Sequence, residues 1–453
     1  MQTNLRNQVL CILLLAILYC QTAQAQLSLS GQLRTRSELR DGQGTLSPQE
    51  AVPAFFTSQR ARLNLGYTGD RFKVFTAIQD VRVWGQDASS INRVTLAANN
   101  GLMVHEAWGE VMLLDTAAAI ENLSLKIGRQ ELVYDDGRLL GNLDWLQQGR
   151  RHELVLLKLE NKGWIGHVGV AFNQNQEYKT GTLYNGMPNG YQAGTNGIGI
   201  LYKSMQFLYA GRKFNQGSAS FLLLKDDFNK YHPDSTGKIL DPGVWSRLTT
   251  GVYFSSTLIN KLGITASAYV QRGRTKDGEK LAAHLFSAAT MYAVSPFFSL
   301  GPGIDYTSGN NPNRTDGVNR MFDPLYGTPH KFWGNMDYFY AADRFGNNGL
   351  IDFYLKSRYK INNLTFSFDA HQFKAANPVM NKESVRLERN FGTELDLVVN
   401  YSFTKTVNFE GGYSTFFATP TLASEAVKNV INADRQANWA YLMINIKPTF
   451  LSK

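Results

Sequence analysis

The sequence predicts an all-β protein: a transmembrane antiparallel up-and-down β-barrel of about 18 strands, with short periplasmic turns and long extracellular loops. Three observations carry that prediction. Segment after segment alternates apolar and polar residues with a period of two, so each has one greasy face and one wet face. Short and long connections take turns along the chain, as they do where tight turns lie on one side of a membrane and loops on the other. After the first 25 residues no apolar run approaches a spanning helix, and only a closed barrel then satisfies every backbone group in lipid.

Residues 1–25 read as a secretion signal, and 26–453 as one outer-membrane barrel. Arg6 supplies the basic start, Val9 to Tyr19 the apolar core, and Ala23-Gln24-Ala25 a small-residue cleavage site. A lipoprotein reading through Cys20 is weakened by the bulky Tyr19 before it. Cys11 and Cys20 are the only cysteines, so the processed chain has no disulfide to lean on. The net charge is +9, and loss of Arg6 leaves +8, an excess that suits anionic partners. An exported chain with outer-membrane lipid around it rarely meets nucleic acid, which is excluded as a partner.

The strands follow in order. Leu27, Leu29, Leu33 and Leu39 alternate with Ser28, Ser30, Gln32, Arg34, Arg36 and Glu38. Ala61, Leu63, Leu65 and Tyr67 then alternate with Arg60, Arg62 and Asn64. Further on, Ile351, Phe353, Leu355 and Tyr359 oppose Asp352, Lys356, Arg358 and Lys360, and Leu395, Leu397 and Val399 oppose Glu394, Asp396 and Asn400. Such segments have centres near 33, 61, 77, 109, 125, 155, 168, 207, 222, 252, 267, 287, 302, 354, 368, 396, 412 and 443. Around Phe75 to Val83 and Leu154 to Leu157 the alternation is muddled. Tight turns are expected at 68–70, 161–163, 215–217 and 361–363. Long loops are expected at 40–54, 84–104, 130–150, 173–200, 228–245, 309–349, 374–389 and 418–437. The last strand sets Ala440, Leu442, Ile444, Ile446 and Phe450 against Tyr441, Asn445 and Lys447.

Two loops carry the candidate chemistry. In Lys126 to Glu153, Arg129, Arg138, Arg150 and Arg151 are interleaved with Asp135, Asp136, Asp144, Tyr134 and Trp145. Guanidinium forks among carboxylates and rings suit an anionic, hydroxyl-rich ligand; taken alone, the stretch reads more readily as a solvated surface hairpin. By strict alternation Arg129 would follow Ile127 outward, so a role on the substrate path requires it to lie in the loop or beyond a bulge. The second loop, 309–349, is too long to be a plain connection and too aromatic to be disordered. Folded into the lumen, its Tyr326, His330, Lys331 and Asp337 would form a constriction. On the walls, Arg34, Arg36, Arg60, Arg62, Lys356 and Arg358 form a candidate basic track, since rings of Arg and Lys select anions. Taken one at a time, each of these is more readily a wall ion pair. The acids Glu394, Asp396 and Glu410 sit on strands that closure brings near the first.

At these residues the chain resembles the alginate-export proteins of Gram-negative outer membranes. The resemblance rests on Gly128-Arg129-Gln130 with Leu139-Leu140-Gly141 and Trp145, on Gln79-Asp80-Val81-Arg82-Val83-Trp84-Gly85, and on Asp323-Pro324-Leu325-Tyr326 with His330-Lys331 and Asp337-Tyr338-Phe339. It implies an eighteen-stranded barrel whose basic, loop-constricted lumen passes a polyuronate, and it adds Arg82 to the candidate path. The family's expected Tyr-Gly-Asp-Glu-Arg-Leu reads Tyr134-Asp135-Asp136-Gly137-Arg138-Leu139 here, which bears on substrate more than on fold.

Catalysis finds little support. His105, His152, His167, His232, His284, His330 and His371 show no metal-ligand spacing, and no Gly-x-Ser-x-Gly elbow is present. No cofactor or metal is expected. Ser308 to Asp316 has oxygen ligands in reach of calcium but reads first as a turn-rich loop tip. The expected function is passage of an anionic polysaccharide or its oligomers. The alternatives are a general or small-anion uptake porin, an outer-membrane hydrolase, and an adhesion barrel with a plugged lumen. A periplasmic export or uptake partner would serve transport in either direction.

Overall fold

The computed structural model describes residues 26–85, 102–114, 120–173, 201–235, 237–341 and 347–452. The expected signal segment, and much of the loops 84–104 and 173–200, lie outside the described residues. The wall begins with β1 Gln26–Asp41, β2 Ala54–Thr68, β3 Phe72–Val83, β4 Met103–Met112, β5 Asn122–Gln130 and β6 His152–Asn161. It continues with β7 Trp164–Phe172, β8 Ser204–Phe214, β9 Gly217–Asp234, β10 Gly237–Leu258, β11 Leu262–Arg274 and β12 Lys280–Ala293. It ends with β13 Phe298–Thr307, β14 Leu350–Ile361, β15 Leu364–Ala375, β16 Asn390–Ser402, β17 Val407–Ala418 and β18 Gln436–Ile446. Each strand pairs antiparallel with the next, and β18 returns to β1 from Leu33↔Ile446 to Asp41↔Asn438. A short segment, Thr449–Ser452, resumes pairing with β1 after Lys447-Pro448. The result is a closed 18-strand barrel. All the expected centres fall within wall strands.

Closure removes every edge, so the alternation along each strand sorts side chains into lumen and lipid. Leu33, Leu65, Val168, Phe254, Phe286, Phe353, Leu397 and Leu442 point outward and are exposed. Toward the short-turn end the outer face carries Tyr67, Phe72, Trp164, Phe214, Tyr292, Tyr401 and Phe450, with Tyr67 and Phe72 rings 5.5 Å apart. An apolar band edged by rings is what a bilayer interface favours. Among the described residues no helix is long and apolar enough to cross a membrane.

The lumen is packed. Leu154 and Leu156 of β6, Met205 and Phe207 of β8, and Leu222 and Leu224 of β9 point inward onto Leu132, Leu139 and Leu140 of the loop between β5 and β6. That contact explains the muddled pattern at Leu154 to Leu157: lipid lies on one face and a loop core on the other. One expected loop is not a loop. Residues 228–245 continue β9 and β10 as a hairpin to a turn at Ser235, with a register shift between Leu240 and Val244.

Candidate functional site

Two inner loops, 131–151 after β5 and 308–349 after β13, meet inside the barrel. Their backbones bond directly: Gly141 N donates to Tyr326 O at 2.9 Å, Tyr326 N to Leu139 O at 2.9 Å, and Thr328 N to Gly137 O at 2.8 Å. The Arg150 guanidinium donates to Gly327 O. Such closeness needs glycine. A Cβ on Gly327 would lie 1.9 Å from Arg138 O, and one on Gly141 would lie 2.4 Å from Thr328 Oγ1. Beside them Leu143 and Leu325 hold left-handed φ of 50° and 54°, a conformation non-glycine residues keep only where neighbours enforce it.

Each loop is pinned to the wall by buried charge pairs. The Arg138 guanidinium reaches Asp305 of β13 at 2.6 Å and lies 3.9 Å from the Phe332 ring centroid. Arg247 of β10 grips Asp226 of β9 and Asp323 of the second loop, while Tyr326 Oη donates to Asp226 at 2.7 Å. Glu394 of β16 accepts the Met336 N–H at 2.7 Å. Phe339 packs on Phe373 with ring centroids 4.5 Å apart, and Tyr338 on Phe416 at 4.4 Å. Arg138–Asp305 and Arg247–Asp226 are buried charges that hold because each is paired and hydrogen-bonded.

The arginines of β1 and β2 face the first loop. Arg34 Nη1 lies 3.2 Å and Arg60 Nη2 2.8 Å from the Asp144 carboxylate. Arg34 Nε donates to Gln147 Oε1 at 2.9 Å, and Arg36 donates to Trp145 O at 2.8 Å while its guanidinium covers the Trp145 ring at 4.1 Å. Arg36 also pairs with Glu38 at 2.8 Å, and Arg62 lies 3.7 Å from Glu131. Burial pushes the Asp144 carboxyl upward, but Arg60 and Arg34 outweigh it and hold the group below the usual carboxylate range. The track is therefore a clamp, with the loop's own carboxylate in the guanidinium fork.

Open space lies beside the clamp. A cavity of ≈ 290 Å³ is lined by Trp145, His330, Lys331, Lys356, Arg358 and Asp369, among others. Trp145 and His330 stack at 4.2 Å, and His330 Nδ1 lies 2.8 Å from Asp337. Lys356 lies 3.4 Å from Asp369, which also pairs with Arg358, and Lys331 Nζ donates to Asp136 O at 2.8 Å. A second cavity, ≈ 420 Å³, is bordered by Gln32, Arg60, Arg62, Asn64, Asp144 and Lys447.

The expected site residues thus divide. Trp145, His330, Lys331, Lys356, Arg358, Arg60, Arg62 and Asp144 border open space. Arg34, Arg36, Arg138, Arg150, Tyr326 and Asp337 are buried and position the loops. Arg82 and Arg129 are corrections to the expected path. Arg82 lies on the outer face of β3, 2.6 Å from Asp80, and Arg129 on the outer face of β5, paired with Glu153 of β6. Alternation in β5 is unbroken from Ile127 to Gln130, so no bulge turns Arg129 inward.

Two neighbours on β4 meet a residue of the first inner loop. A register shift between Ala77 and Ile78 marks a bulge on β4 that turns both His105 and Glu106 inward, where their ligand atoms and those of Glu131 lie within 4.8 Å of one another. His105 Nε2 and Glu131 Oε1 are 2.7 Å apart, and Arg62 stands beside them, so the carboxylate has a guanidinium for its counter-ion. At the tip 308–320, Asp316 pairs with Arg320 at 2.6 Å and accepts Val318 N, as a turn-rich loop tip would. Sequence reasoning missed Asp226, Arg247, Asp305 and Asp369, because an inward charge on a strand looks the same whether it meets water or a loop.

Solved structures with a similar fold include Acinetobacter baumannii OccAB1, at 13% identity and a TM-score of 0.61 over 94% of this chain and 97% of that one. Pseudomonas aeruginosa OccK9 (OpdG) is similar at 13% identity and a TM-score of 0.57, over 94% and 98%. Pseudomonas aeruginosa OpdK, solved with vanillate, is similar at 11% identity and a TM-score of 0.58, over 94% and 99%. No curated protein matches the chain. Residues 25–168 match the family model described as alginate export, the family to which the motifs of β3 and the first inner loop point, and family and fold together support an outer-membrane channel.

Proposed function

We propose that this channel passes an anionic polysaccharide of the polyuronate type, or its oligomers, along a basic and aromatic constriction. The ≈ 290 Å³ cavity carries this reading, because Lys331, Lys356 and Arg358 line it together with Trp145 and His330. A uronate carboxylate exchanging water for an ammonium or guanidinium recovers much of its hydration loss. The stacked Trp145 and His330 rings wall the cavity beside these cations, and Asp369 keeps the two cations of β14 from holding the anion too tightly. Weak sites in series let a charged solute enter and leave.

A second reading, uptake of small acidic solutes, is favoured by the pinned loops and by the size of the cavities beside them, ≈ 290 and ≈ 420 Å³. OpdK, a similar barrel, was solved with vanillate, a small carboxylate.

The test is the double variant Lys356→Gln/Arg358→Gln in planar bilayers, with uronate monomers and oligomers of increasing length. Wild-type current should favour anions and be blocked by oligomers more strongly than by monomer, and the variant should lose most of that block. Block by monomer alone would favour the second reading. A cation-selective wild type indifferent to every uronate would defeat both.

A further inference from the structure

We propose that the outer rim of β11 and β12 is a docking surface for a phosphorylated glycolipid headgroup of the outer leaflet. Arg274 and Lys280 are direct cross-strand partners, and Arg272 follows on the same outward face two residues earlier. All three are exposed. Like charges set directly opposite each other destabilise a sheet unless an anion lies between them.

Protein groups do not supply that anion. Arg272 donates to Gln271 O at 3.2 Å and Arg274 to Gly278 O at 2.6 Å, and among the described residues none of the three cations is in an ion pair. The carboxylates of this rim are committed elsewhere. Asp227 is taken by Lys225, Asp277 by Lys276 and the Tyr231 hydroxyl, and Glu279 by the Asn319 amide. The contrast with β3, β5 and β6 is direct, since there Arg82 and Arg129 each meet an outward carboxylate.

Position on the wall selects a lipid over a soluble anion. Leu248 lies directly across from Arg272, and Val270, Val252, Phe254 and Phe286 continue the exposed apolar face toward the membrane centre. The patch also adjoins the loop-bearing, outer end of the barrel. A headgroup phosphate set between Arg274 and Lys280 would leave its acyl chains against that face. Guanidinium forks favour phosphate, and each basic side chain near an anionic lipid surface adds to the attraction.

The experiment uses the full barrel purified in detergent, with native mass spectrometry reading bound diphosphorylated and monophosphorylated lipid A. Wild type should retain the diphosphorylated form preferentially. The triple variant Arg272→Gln/Arg274→Gln/Lys280→Gln should bind it about a hundredfold more weakly, while Arg212→Gln at the opposite rim should bind as wild type does. Equal retention of the two lipids by the wild type overturns the proposal however the variants fold. So does a triple variant that migrates as a folded barrel and keeps wild-type binding, or an Arg212→Gln variant that loses as much as the triple.

Discussion

Gly327 is the narrowest point of contact between the inner loops, so alanine there tests whether their union sets the bore. The added Cβ would sit 1.9 Å from Arg138 O and 2.5 Å from Arg138 C, and neither backbone atom can swing aside as a side chain would. Relief requires the loops to part by more than an ångström, which breaks the three backbone bonds linking 137–141 to 326–328. At about 1 kcal/mol each, their loss costs roughly 3 kcal/mol and shifts the local equilibrium toward parted loops on the order of a hundredfold. The wall is untouched, because its hydrogen-bond ladder does not involve these residues. Single-channel recording should show higher conductance and weaker anion selectivity for Gly327→Ala. Heat-modifiable migration on a gel should match the wild type. A folded variant with wild-type conductance and selectivity would refute the idea that the joined loops set the bore.

Two further outcomes follow from the same geometry. Cysteines at Thr315, on the exposed tip of the second long loop, and at Lys405, in a tight turn, should label oppositely with an impermeant thiol reagent on intact cells. Labelling at Lys405 alone would invert the orientation. Acid should release the first loop late. Because its guanidinium partners depress the Asp144 carboxyl in the folded state, its contribution is full above the unfolded value of about 4 and fades only as pH falls through the lower folded value. Conductance should therefore stay steady from neutral pH to about 4 and change only in stronger acid, whereas Asp144→Asn should show the acid behaviour at neutral pH. A wild-type transition near pH 6, absent from Asp144→Asn, would contradict this linkage.

The wall was legible because lipid and water enforce a two-residue period over most of its length, and every strand centre falls where that period places it. The rule weakens where the membrane ends. Residues 228–245 look loop-like because Pro233, Pro242 and a run of Asp, Ser, Thr and Gly interrupt the alternation, yet β9 and β10 keep pairing through them. Arg82 and Arg129 belong to that same outer zone, where an outward guanidinium beside a carboxylate is tolerable, so charge alone did not mark the lumen. Inside, residue types were legible and roles were not. Arg138, Arg150, Tyr326 and Asp337 lie in the two loops, but whether the Arg138 guanidinium meets solute or Asp305 depends on how its loop folds onto a wall strand 167 residues further along the chain. The bulge that brings His105 and Glu106 inward was not legible, since one extra residue between Val104 and Ala107 only shifts the alternation and leaves no turn residue to mark it.

That pairing of wall and loop constrains what such a channel selects. A solute carboxylate approaching Arg34 and Arg60 meets Asp144 already in place, 3.2 and 2.8 Å away and tethered by the chain. A tethered group competes at an effective concentration in the millimolar range or above, so a lone acid at lower concentration cannot displace it. It can occupy the Lys331, Lys356 and Arg358 cavity, where the counter-ion Asp369 is shared between two cations. A polyanion differs, because once one carboxylate is held there its neighbours are tethered too and meet Asp144 on equal terms. On the proposed function, charge compensated by the chain itself would favour multivalent anions over monovalent ones of the same chemistry. On this reasoning the block by uronates should rise more steeply with chain length in the wild type than in Asp144→Asn, where the guanidinium fork stands open to monomer and polymer alike.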